Sequence, residues 1–167
     1  MKKWFLCLPV LMIFLMSCSK SSDKCNFTES SAVAVAAEVV YLQNLLNVNS
    51  VSATAHPSGI FYVVDDPGAG ATASVCSNIR VNYTGTLLSN ATVFDSNNAA
   101  AGVSFVLGQL IVGWQKGLPL IKSGGRITIY IPPSLGYGSE DRTDQYGAIV
   151  IPANSYLKFE IHLLDVQ

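Results

Sequence analysis

The chain has 167 residues, half of them hydrophobic and 13% charged, with a formal net charge of -1. That length suits one domain with a real core, and near-neutral charge without a basic cluster argues against nucleic acid as a partner. There are only two histidines, neither with an acid or thiol at metal-ligand spacing, which argues against a metal site or a histidine-based triad.

Residues 1 to 17 have the layout of an export signal. Lys2 and Lys3 form a positive start, Trp4 to Met16 an apolar run, and Ser17 a small residue before Cys18. The run is too short to span a bilayer comfortably. Leu15-Met16-Ser17-Cys18 resembles a bacterial lipobox, with methionine a less usual residue at its place. The resemblance implies that Cys18 is lipidated and that the protein is anchored in the bacterial cell envelope, on the outer membrane or facing the periplasm. An ordinary signal peptide cut nearby is the alternative. Residues 18 to 30 then form a polar tether, including Ser19 to Lys24. Once Cys7 has left with the signal and Cys18 is acylated, Cys25 and Cys76 remain; in an exported protein they either pair or stand as unrelated thiols. Pairing would set the first helix beside the strand that begins near Ile79.

Residues 31 to 58 read as a helix and a linker. Ala32, Val35, Val39, Leu42 and Leu46 recur at three- and four-residue spacing and line up one apolar face, with Ser30 or Ser31 placed to cap the start. Asn47 to Ser58 is rich in Asn, Ser and Thr and ends in a turn at His56-Pro57-Ser58-Gly59.

From residue 59 to 167 the period becomes two. Strands are predicted around Ile60 to Val64, Ile79 to Thr84, Val103 to Leu107, Arg126 to Ile131 and Leu157 to Leu163. Such alternation predicts a largely antiparallel sheet with one buried and one wet face. A short helix near Trp114 to Lys122 would cover the buried face. The fold class is α+β: a curved antiparallel sheet wrapped around one short helix and preceded by an N-terminal helix.

No G-x-S-x-G elbow or phosphate-binding glycine loop occurs, and Gly124-Gly125 reads as a tight turn. What stands out is a set of aromatic residues on or beside the predicted elements: Tyr83, Phe94, Trp114, Tyr137 and Phe159. Taken alone, they read as core packing. Five segments change that reading: Val81-Asn82-Tyr83-Thr84-Gly85, Val93-Phe94-Asp95-Ser96, Leu110-Ile111-Val112-Gly113-Trp114, Ile131-Pro132-Pro133 with Gly136-Tyr137-Gly138, and Ile151-Pro152 ahead of Leu157-Lys158-Phe159. In that order and spacing they resemble the FKBP-type peptidyl-prolyl cis-trans isomerase family, over roughly Gly59 to Gln167.

The resemblance implies an isomerase that needs no cofactor and no metal and acts on proline-containing exported polypeptides. It makes Trp114 the floor of a proline pocket. Tyr83, Phe94, Val103, Ile111 and Phe159 become walls, with Leu110 at the rim. Tyr137 donates its hydroxyl to a substrate carbonyl and the Ile111 N–H holds another. Asp95 faces the twisting amide, and Val150 and Ile151 close the pocket from the flap loop. Four departures from the family pattern are visible, one being Ala153 where a second proline is common. Ser96 to Gly102 contains no arginine, where many members place one to pair with the aspartate and tyrosine. Val103 stands where a larger aromatic residue is common, and the loop from Tyr137 to Ile151 is longer than usual. A binding or chaperone module with the same fold and little turnover is the alternative from another class.

Overall fold

The computed structural model describes residues 25 to 167. The export signal, the lipobox cysteine Cys18 and most of the tether lie outside the described residues. The elements in chain order are α1 (Ala36–Val48), β1 (Thr54–Ala55), β2 (Phe61–Asp66), β3 (Asn78–Leu87), β4 (Val93–Asn97), β5 (Val103–Val106), α2 (Val112–Gly117), β6 (Arg126–Ile131), β7 (Arg142–Thr143), β8 (Ile149–Ile151) and β9 (Leu157–Val166). Single 3₁₀ turns flank α2, at Leu107–Gln109 and Leu118–Leu120, and another follows β6 at Pro133–Leu135.

Seven strands form one antiparallel sheet in the order β1-β2-β6-β9-β3-β4, with β5 also on β3. The ten-residue β3 serves two partners along one edge. Its first half pairs with β5 (Val81 opposite Val103) and its second half with β4 (Gly85 opposite Asp95). The chain between β4 and β5, residues 98–102, leaves that edge and returns to it. β7 and β8 form a separate two-stranded hairpin in the flap loop. The strand at Val93–Asn97 breaks no local rule, but its alternation is too short to be legible.

One sheet face carries the main core. Ile79, Val81 and Tyr83 of β3, Ile127, Ile129 and Ile131 of β6, and Phe159, Ile161 and Leu163 of β9 pack there against Trp114, Leu118 and Ile121. α2 lies close on β6 because Gly113 has no side chain; a Cβ there would strike Ile131.

The expected wet face is wet only in part. On β6 the residues Thr128 and Tyr130, expected to face water, are buried too. Tyr130 is covered by α1, whose Leu42 and Leu46 pack with it and Phe61 into a second cluster, while Thr128 Oγ1 donates to Asp65 Oδ2 at 3.1 Å. Phe61 and Tyr130 are directly paired across β2 and β6, one step out of phase with the main core. The sheet is therefore covered on both sides at this end.

The helix starts five residues later than the apolar spacing predicts, at Ala36, and neither Ser30 nor Ser31 caps it. Ala32 and Val35 are exposed. Residues 31–35 are instead an extended arm: the Ala34 N–H donates to the Ser58 carbonyl at 2.8 Å and the Val35 N–H to Ser134 Oγ at 3.4 Å. These contacts with distant segments hold Val35 in the extended form that its branched side chain favours. The linker likewise contains a short strand, β1, paired to β2.

Cys25 and Cys76 are joined in a disulfide, with Cα atoms 5.6 Å apart. The bridge does not set α1 beside β3. It ties Cys25, ahead of the arm, to the loop before β3, and α1 packs instead with Phe61 of β2 and Tyr130 of β6. Between Cys25 and the arm, Phe27 packs on Gly108, and Glu29 pairs with Lys116 of α2 at 3.0 Å.

Candidate functional site

Where β3, β4 and β9 meet α2, a cavity of about 270 Å³ opens to the surface, lined by Tyr83, Asp95, Phe105, Gln109, Leu110, Ile111, Trp114, Tyr137 and Phe159. Trp114, 4% exposed, forms its base. Three rings meet the indole nearly at right angles: Tyr83 at 5.3 Å, Phe159 at 5.3 Å and Phe105 at 6.5 Å between centroids. Edge-on packing of this kind is favourable for aromatic quadrupoles.

Each wall comes from a different element. Tyr83 and Phe159 point inward because they fall in phase with the buried residues of β3 and β9. Phe94 does not line the cavity; it stands behind it, edge-on to Phe159 at 5.5 Å and to Tyr137 at 6.4 Å. Leu110 and Ile111 come from the turn between β5 and α2. That turn is held by the buried Gln115, whose Nε2 donates to the Leu110 carbonyl at 2.8 Å and the Gly108 carbonyl at 3.4 Å. The Ile111 N–H is left without a partner among the described residues, as is the Tyr137 hydroxyl.

The polar side is small. Tyr83 Oη donates to Asp95 Oδ2 at 2.7 Å. Burial, then the hydrogen bond to Asp95, push the Tyr83 phenol far above its ordinary pKa. Burial also raises Tyr137, with the Asp95 charge adding to the effect and Arg142 opposing it. Both phenols are therefore neutral hydrogen-bond donors at physiological pH. Among the described residues no group of three His, Cys, Asp or Glu is placed to hold a metal ion.

Tyr83, Asp95, Leu110, Ile111, Trp114, Tyr137 and Phe159, all singled out in the sequence, thus converge on one cavity. Val103, Val150 and Ile151 do not reach its wall. Val103 pairs with Val81 at the sheet edge, and Ile151 is buried in the main core with Val150 packed against it. Two lining residues escaped sequence reasoning, Phe105 and Gln109. Phe105 lies two residues beyond Val103 on the same strand face, so the strand's alternation was the available signal. The aromatic wall absent at Val103 is supplied there. Gln109 sits in a 3₁₀ turn whose direction no local pattern reveals.

Comparison with known proteins agrees with this architecture. A family model described as FKBP-type peptidyl-prolyl cis-trans isomerase matches residues 70–164. The chain is 37% identical over 150 residues to the FKBP-type peptidyl-prolyl cis-trans isomerase FkpA of Buchnera aphidicola subsp. Schizaphis graminum, a match covering 89% of this chain and 56% of that one. A probable FKBP-type isomerase of Haemophilus influenzae is 42% identical over 111 residues, 66% of this chain and 44% of the relative. The crystal structure of FkpA from Escherichia coli superposes with a TM-score of 0.64 at 34% identity, covering 79% of this chain and 58% of the other. The chain spans about half the length of the curated relatives it matches. A family model that covers more than half of the chain decides its kinship: this chain belongs to the FKBP-type peptidyl-prolyl cis-trans isomerase family.

Proposed function

We propose that the protein is a peptidyl-prolyl cis-trans isomerase that accelerates rotation about X–Pro bonds of exported polypeptides. One observation carries the reading: an apolar, aromatic cavity based on Trp114 has polar groups at its mouth and no serine, cysteine, lysine or histidine in its lining. Rotation about a peptide bond faces a barrier of about 18–20 kcal/mol from amide resonance, and no covalent bond need break. The aromatic walls receive the proline ring. Removing water from the amide disfavours its charge-separated planar form, so the twisted form is bound more tightly and the barrier falls. Tyr137 Oη and the Ile111 N–H are free to hold two substrate carbonyls, and Asp95 presents a carboxylate to the rotating amide. A protease-coupled assay on a proline tetrapeptide tests this. Turnover above the spontaneous rate supports it, and none sinks it.

A second reading is a binding or chaperone module with little turnover. It is favoured by Asp95, whose hydrogen-bond partner among the described residues is Tyr83 alone, with no cation supplied by residues 96–102. The same assay, with peptide binding followed by Trp114 fluorescence, separates the two: binding without turnover is the module.

The Leu15-Met16-Ser17-Cys18 stretch supports a lipid anchor at Cys18 in the cell envelope. No helix among the described residues is long and apolar enough to cross a membrane. Cys18→Ser should release the protein from membranes or block its processing; unchanged fractionation and mass would remove the anchor.

A further inference from the structure

We infer that Arg142, in the flap hairpin, is a positioning residue for Tyr137: its guanidinium holds the phenol ring at the pocket mouth in the orientation that presents the hydroxyl to a substrate carbonyl. This rests on the isomerase reading of the site.

The backbone around Tyr137 is held, with the Gly136 and Gly138 N–H groups donating to the Pro133 carbonyl at 3.0 and 2.9 Å, but these bonds do not fix the ring. It lies between Gly136 and Gly138, and Gly138 has φ +76°, a conformation that costs glycine little. Its hydroxyl has no hydrogen-bond partner among the described residues. What orients the ring is therefore packing from the sides. Phe94 supplies one contact, edge-on. The main core supplies another, and Arg142 a third, with Cζ 5.7 Å from the ring centroid. The same guanidinium donates through Nη2 to the Tyr137 carbonyl at 3.4 Å, so one side chain grips both the ring and the backbone of Tyr137.

The backbone at Arg142 is anchored, while its side chain is exposed. It pairs across the hairpin with Ile151, which is buried in the main core. The preceding Asp141 accepts the Ala153 N–H at 2.7 Å and pins the hairpin base. Asp144 accepts the N–H groups of Tyr146 and Ala148 within the hairpin. Arg142 makes no salt bridge among the described residues, so no carboxylate draws it off the ring.

A cation over a phenol face is attracted by the ring and favours electron withdrawal from the hydroxyl, which strengthens it as a donor. It also offsets the Asp95 charge felt by the same group. Residues 96–102 offer no cation to the site, and Lys116 is engaged by Glu29. The longer flap thus supplies the positive charge from the other side of the pocket.

The test is a double-mutant cycle on the full chain, reading kcat/KM with a proline tetrapeptide. Arg142→Gln should lower it about 2- to 5-fold, the scale of an exposed cation–π contact, with unchanged thermal midpoint. Arg142→Lys, which keeps the charge, should recover at least half of that loss. In a Tyr137→Phe background, Arg142→Gln should change kcat/KM by less than about 1.5-fold, since the group acted upon is gone. An undiminished loss in that background, or a lysine variant no better than glutamine, overturns the inference. A second readout does not depend on turnover: the Tyr137 phenol, followed by carbon NMR of labelled tyrosine, should titrate at higher pH in Arg142→Gln than in the wild type. If the wild type shows no turnover, the isomerase reading falls, and unchanged Tyr137 titration and ring signals then overturn the positioning role by themselves.

Discussion

Tyr83 Oη and Asp95 Oδ2 lie 2.7 Å apart, joining the long strand β3 to the short edge strand β4 at the mouth of the pocket. Asp95 is solvent-exposed and, from sequence, has no packing role; Tyr83 is buried. The bond gives the carboxylate a structural task as well as a site task.

Asp95→Ala should therefore lower both peptide turnover and stability. Leaving the Tyr83 hydroxyl without its acceptor should cost about 1 kcal/mol, at the low end for an unsatisfied hydroxyl because water can enter the open pocket. In a Tyr83→Phe background the same substitution should cost almost nothing in stability, while turnover stays low. Equal stability losses in the two backgrounds, measured by urea denaturation, would show that Asp95 acts on something other than Tyr83.

The base and the wall should separate by their effects. Trp114→Ala should cost roughly 3–5 kcal/mol as a large buried aromatic truncation, and abolish peptide binding. Phe105 is half-buried at the pocket wall, so Phe105→Ala should chiefly lower kcat/KM, by roughly 2- to 10-fold for one aromatic contact. Val103→Ala, two residues earlier at the sheet edge, should leave kcat/KM within about 2-fold, because Val103 does not reach the cavity. Equal losses from Phe105→Ala and Val103→Ala would contradict this placement of the wall.

Reduction of the Cys25–Cys76 bridge should destabilise the protein. The two residues are 51 apart in sequence, and a loop of that size is worth about 2–4 kcal/mol if unstrained. Because the arm also packs Phe27 on Gly108 and pairs Glu29 with Lys116, reduction should loosen the Gly108 to Ile111 turn as well. Hydrogen exchange of the Leu110 amide, before and after reduction, measures this; unchanged exchange would confine the bridge to the N-terminal arm.

Stability and turnover should respond differently to pH. His56 and His162 have pKa values lowered chiefly by burial, His56 further by Lys116 and His162 by Arg126. Their folded-state pKa lies below the unfolded value of 6.5, so their contribution is present above pH 6.5. It is lost as the pH falls below that value, where the unfolded chain takes up protons first. Neither histidine lines the pocket, and Tyr83 and Tyr137 are both raised above 10. Turnover should thus be flat from about pH 6.5 to 9 while the thermal midpoint falls on the acid side. A turnover profile with a midpoint near neutrality would require a titrating group that these residues do not provide.

Much of the molecule was legible from residues alone, because the information was local. Alternation along Ile79 to Tyr83, Arg126 to Ile131 and Leu157 to Leu163 is a property of neighbouring residues, and it determined the strands and the face that carries the core. The ordered aromatic motifs determined the family and placed Tyr83, Trp114, Tyr137 and Phe159 on the same cavity. What remained hidden depends on contacts between distant segments. Val35 carries the helical spacing yet stays extended, because its N–H reaches Ser134 and that of Ala34 reaches Ser58. Tyr130 looks like a wet-face residue until α1 covers it with Leu42 and Leu46. Phe105, not Val103, meets the indole across the pocket, and Arg142 meets Tyr137 only because the flap hairpin folds back on itself. Periodicity records which way a side chain points from its own strand or helix. Which other element it then meets is set by chain packing in three dimensions, and only the tertiary structure decided that.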